Sequence, residues 1–101
     1  MLITEEMQVL SDLVLRYLRT LPNGTEITTE EAMQQACANQ ETPIYANWDL
    51  YEWHDLHHAI WHRAPRCGLK LDDSRYADQC VGLFHRIPYV VTNKRRNNTS
   101  K

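Results

Sequence analysis

Three histidines spaced four apart, His54, His58 and His62, are the residues whose type and spacing bear most directly on chemistry. On a helix, neutral imidazoles at this spacing share a side and can hold one metal ion, with Cys67 or His85 available to complete a tetrahedral set. The same ladder can act as a pH switch, because adjacent imidazoles repel once protonated, at about pH 6. The surrounding sequence supports neither use: there is no Cys-x-x-Cys or His-Glu-x-x-His spacing, and Pro65 disturbs the approach to Cys67. The simpler reading is a solvated or partner-facing helix side with no metal and no cofactor, and with His57 at the edge of the core.

No other set of residues reads as catalytic. Asp72 and Asp73 are adjacent, so in an extended segment they point to opposite sides, which is wrong for paired acid–base work. Ser11 and Ser74 lack a nucleophile elbow, and only three glycines are present, none in a phosphate-binding loop. The sequence predicts a binding protein rather than an enzyme and implies no small-molecule substrate.

The histidines belong to a central helix expected between Trp48 and Arg66, a stretch that carries all three tryptophans. Asp49 is placed to cap it, Glu52 three residues on completes a capping box, and Trp48 and Trp53 stand at hydrophobic-staple positions. Trp53, Leu56, His57 and Ile60 fall on one side; His54, His58 and His62 fall on a neighbouring side with Trp61 beside them. Ala64 before Pro65 ends or kinks the helix, and Gly68 terminates any continuation. Trp48, Trp53, Trp61, Tyr45 and Tyr51 lie within 17 positions, more aromatic area than one helix usually hides. Trp53 is assigned to the core. The row His54, His58, Trp61 and His62 is the expected contact with a protein partner or a second copy of the chain.

A first helix is predicted over residues 4–21, with Thr4 as cap and a stripe of Ile3, Met7, Leu10, Val14, Tyr17 and Leu21 widened by Leu13 and Leu18. Pro22-Asn23-Gly24 stops it. Thr25-Glu26-Ile27 reads as no more than an extended bridge. Thr28 and Glu31 then open a shorter helix whose inward face is Ala32, Met33, Ala36 and Cys37. Asn39 to Ala46 is a polar loop. Leu69 to Asp72 alternates with period two, and Ile87 to Thr92 is rich in β-branched residues, so both read as strands. The long connection between them is expected to hold a helical turn from Asp73 to Tyr76 and a fold-back at Val81-Gly82-Leu83-Phe84. The outcome is an α+β domain over residues 1–93, three helices followed by a short β-hairpin or wing, with a basic disordered tail at 94–101.

A chain of 101 residues with 43% hydrophobic and 24% charged residues is enough for one core. The acidic start MLITEEMQVL lacks the basic region of a signal peptide, and three cysteines without framework spacing fit reduced thiols; a cytoplasmic location is expected. The formal charge of −2 divides into −6 for residues 1–93 and +4 for residues 94–101. An acidic body opposes phosphate backbones. The DNA-binding alternative rests on Arg63, Arg66, Lys94, Arg95 and Arg96, with Lys70, Arg75 and Arg86 adding to one surface if the fold gathers them.

The order helix, short extended piece, helix, helix, strand, long connection, strand resembles that of a winged-helix domain, which implies a DNA-binding role. The chain departs from that pattern in two ways: the link between the second and third helices is long, and the third helix lacks a basic outer face. Leu56-His57, Ala59-Ile60, Leu69-Lys70-Leu71-Asp72 and Tyr89-Val90-Val91-Thr92-Asn93-Lys94 also make the chain similar to small proteins of Firmicutes phages and mobile elements. That likeness implies an accessory protein, such as an inhibitor of a host defence enzyme, and transfers no site residues.

Overall fold

The computed structural model describes residues 4–73 and 84–94. The expected helical turn after Asp73, the fold-back at Val81-Gly82-Leu83 and the tail beyond Lys94 lie outside the described residues.

Helix α1 spans Glu5–Leu18, and the Thr4 hydroxyl caps it by accepting from the Met7 backbone N–H at 3.2 Å. Met7, Leu10, Val14, Leu15 and Leu18 form its buried stripe, while Leu13, Tyr17 and Leu21 are half-buried against the core. Leu15, absent from the expected stripe, is buried because α2 and α3 both pack on α1 and widen the covered face. The chain then turns at Gly24, whose φ of 90° is open to glycine and whose N–H donates to the Val91 carbonyl at 2.9 Å.

Thr25–Ile27 is a true strand, β1, and not merely an extended bridge. Its three residues gain a partner far along the chain, which no local pattern could reveal: Thr25 pairs with Val91 and Ile27 with Tyr89. Helix α2, Thr29–Ala36, follows with the reciprocal capping box of Thr28 and Glu31 in place. A 3₁₀ turn at Ile44–Asn47 leads to α3, Leu50–Arg63, where Asp49 and Glu52 form a second capping box. A further 3₁₀ turn, Ala64–Cys67, ends at Gly68 with φ of 76°.

Strands β2, Leu69–Asp73, and β3, Tyr89–Asn93, are antiparallel, and the sheet order is β1-β3-β2. The hairpin expected from the sequence is therefore two-thirds of a three-stranded sheet with β3 at its centre. Its inner face presents Ile27, Leu69, Leu71, Tyr89 and Val91 to the helices, and Trp53, Leu56 and Ile60 of α3 join the same core. Cys37 is buried there, and burial pushes its thiol pKa up, away from the reactive thiolate. The class is α+β. No helix among the described residues is long and apolar enough to cross a membrane.

Candidate binding surface

Helix α3 presents three different sides. The inner one is buried through Trp53, Leu56, Ala59 and Ile60. Trp53 is the hub of an aromatic stack, with Trp48 edge-on at 5.1 Å, Tyr45 tilted at 5.7 Å and the His85 ring nearly parallel at 5.1 Å. These contacts realise the expected staple and fix the way the chain enters α3.

The second side meets α2, β3 and the short turn Phe84–Arg86. The Thr29 hydroxyl lies 2.8 Å from His57 Nδ1 and 3.4 Å from the Tyr89 hydroxyl, and Trp61 stands edge-on against Tyr89 at 5.7 Å. His54 lies against His85, their ring centres 6.3 Å apart. Glu30 reaches both Arg86 Nε, at 3.2 Å, and His85 Nε2, at 3.9 Å.

Burial dominates the titration of this side. It lowers His57 to a pKa of about 4, with the charges of His58, His54 and His85 acting in the same direction. Burial also lowers His85, Glu30 opposes it, and Arg86 and His54 reinforce it. Tyr89 is pushed up to about 12 by burial, against the Thr29 hydrogen bond and with a smaller push from Glu31. Thr29 is fully buried, and its contacts with His57 and Tyr89 bridge α2, α3 and β3.

The third side is open. Tyr51 is 80% exposed, followed along the helix by exposed His58 and His62 and half-buried Asp55, while Leu50, about 100° around the helix on the line of His54 and Trp61, is 51% exposed in the first turn. Ile44, on the preceding 3₁₀ turn, is 42% exposed.

The histidine ladder thus divides. An i to i+4 step turns about 40° around an α-helix, so two steps carry His62 about 80° away from His54. His54 is half-buried against His85, while His58 and His62 face outward. Among the described residues no three His, Cys, Asp or Glu side chains are grouped so as to hold a metal ion. His85, offered by the sequence as a fourth ligand, is buried and stacked on Trp53.

Of the four residues expected to meet a partner, His58 and His62 are exposed, and His54 and Trp61 are half-buried. The buried Trp61 Nε1 has no hydrogen-bond partner among the described residues. Arg63 is held by Asp12, with Nη2 to Oδ1 at 2.6 Å and Nε to the same oxygen at 3.2 Å. That pairing takes it out of the cationic set foreseen for DNA. Arg66 and Lys94 are exposed and near each other, because the Lys94 N–H donates to the Gly68 carbonyl at 2.8 Å. Arg95 and Arg96 lie outside the described residues.

Sequence reasoning missed Leu50 and Tyr51 as surface features. For Tyr51 the signal was present: it precedes the inward Trp53 by two positions, about 200° around the helix, and so points away from the core, whereas the exposure of Leu50 has no such periodic signal. Neither a protein family, a curated protein nor a solved structure matches the chain.

Proposed function

We propose that the chain is a non-enzymatic accessory protein that works by binding another protein through the outer side of α3. The observation that carries this reading is the exposure of Tyr51 and Leu50 in the first turn of a helix whose entry is fixed by a capping box and an aromatic stack. A rigid, amphipathic aromatic presented in this way is the kind of side chain that anchors interfaces at little entropic cost. His58 and His62 continue the stripe, and half-buried His54 and Trp61 border it. An inhibitor of a host enzyme is one concrete form of this role.

The test is retention of proteins from a bacterial lysate by the full chain and by Leu50→Ser/Tyr51→Ser. A partner held by the wild type and lost by the folded double variant supports the interface. Equal retention by both proteins rejects it.

DNA binding is the second reading. The sheet order β1-β3-β2 and the succession α1, β1, α2, α3, β2, β3 resemble a winged helix, and Arg66 and Lys94 supply cations at one end of the sheet. Against it, Glu52 and Asp55 occupy α3 where a recognition helix needs cations, and Arg63 is paired with Asp12. Titrating duplex DNA at low and moderate salt, with and without residues 94–101, separates the readings: a salt-sensitive complex independent of the tail would favour DNA.

A further inference from the structure

Charge and apolar exposure coincide in one stretch of the chain. Between Thr20 and His62 the chain has no Lys or Arg, while it has Glu26, Glu30, Glu31, Glu41, Asp49, Glu52 and Asp55. These acids fall on β1, the first turn of α2, the loop before the 3₁₀ turn, and the first half of α3. Arg86 reaches into the region to pair with Glu30. Among the described residues no Lys or Arg forms an ion pair with the other six. Asp49 and Glu52 spend part of their charge on the N-terminal N–H groups of α3; Glu41 and Asp55 have no such use.

Ile44, Leu50 and Tyr51, three of the four large apolar side chains exposed in the described structure, belong to this same acidic stretch; the fourth, Val9, is on α1. An apolar anchor in a stretch whose carboxylates mostly lack an ion pair among the described residues selects its partner by sign: apolar contact supplies affinity, and the acidic charge admits cations and repels anions.

We infer that the exposed first turn of α3, with the 3₁₀ turn of Ile44 that leads into it, receives a Lys/Arg-rich amphipathic segment of another protein, its apolar face on Leu50 and Tyr51 and its cations toward Glu41 and Asp55. This deepens the proposed protein-binding role and rests on it. A second copy of the chain fits less well. Apart from Arg86, which pairs with Glu30, its exposed cations Arg16, Arg19, Arg66, Lys70 and Lys94 belong to α1 and to the segments about the Gly68–Lys94 contact, and the one large apolar side chain exposed on these elements among the described residues is Val9. Nucleic acid fits least, since the acidic surroundings oppose phosphate.

The experiment uses two synthetic helices, a Leu/Lys amphipath and its Leu/Glu counterpart, titrated into the full chain by calorimetry at low and moderate salt. The proteins are the wild type, Leu50→Ser/Tyr51→Ser and Glu41→Lys/Asp55→Lys, each checked for an unchanged melting transition. Neither pair of substitutions removes a capping side chain. The expected result is binding of the Leu/Lys peptide alone, weakened roughly tenfold or more by either double variant and by added salt. Binding of both peptides, each requiring Leu50 and Tyr51, would overturn the cationic partner while leaving the interface standing. Affinity indifferent to Leu50→Ser/Tyr51→Ser, or no binding, would overturn this inference, and the former would remove the interface as well. Self-association of the wild type that the apolar variant abolishes would make the occupant a second copy and overturn the inference too.

Discussion

Where β3 ends, the Asn93 N–H donates to Asn23 Oδ1 at 2.7 Å and its side-chain amide donates to the Arg19 carbonyl at 3.1 Å, so one buried asparagine ties the end of α1 and the turn after it to the sheet. Where β3 begins, the neighbouring structure is the stack of Trp53, Trp48, Tyr45 and His85, and beyond it the first turn of α3 leaves Leu50 and Tyr51 in the open. The first end joins elements by hydrogen bonds and exposes cations. The second joins them by aromatic packing and exposes apolar groups among acids. The difference separates what the fold needs from what it leaves over: the inner stack completes the core, whereas the side chains just outside it contribute little to folding.

The largest effect is expected from Trp53→Ala. It removes the ring on which Trp48, Tyr45 and His85 pack, and should cost about 3–5 kcal/mol in urea unfolding. A loss below about 1 kcal/mol would mean that the stack is no part of the core.

Acid should act next. The folded chain keeps His57 neutral down to about pH 4, whereas the unfolded chain takes up a proton near the ordinary value of 6.5. Stability from this group is therefore complete above 6.5 and falls as the pH drops toward 4. His85, also lowered, acts in the same direction. The loss is on the order of 2–3 kcal/mol for His57 after allowing for the solvent that reaches its half-buried ring. His57→Phe should flatten the dependence between about pH 7 and about pH 4.5 in urea titrations. An equal slope in variant and wild type would assign it to other groups.

At the opposite end, Asn93→Ala leaves the Arg19 carbonyl without its side-chain donor and should cost about 1–2 kcal/mol. An unchanged unfolding midpoint would show that the amide bond to α1 contributes nothing net.

What could be read in advance follows the range of the interactions concerned. The capping boxes at Thr28–Glu31 and Asp49–Glu52, the Trp48–Trp53 staple, the stop at Gly68 and the alternation of Leu69 and Leu71 are all set within a few residues, and the structure has each of them. The pairing of β1 with β3, the Arg63–Asp12 bond and the seat of Trp61 on Tyr89 depend on partners distant in the chain, so local pattern left them open. The candidate surface was half legible. Spacing identified α3 and its outward histidines, but a four-residue period overstates how well a ladder stays aligned on a helix of 3.6 residues per turn.

The proposed role requires Leu50 and Tyr51 to be surplus to the fold and available to a partner. The most direct measurement is the affinity of the Leu/Lys amphipath for wild type and Leu50→Ser/Tyr51→Ser, taken beside their unfolding free energies. The expected result is stabilities within about 0.5 kcal/mol of each other and a loss of roughly tenfold or more in affinity. Equal affinity, or a double variant that no longer folds, would contradict it.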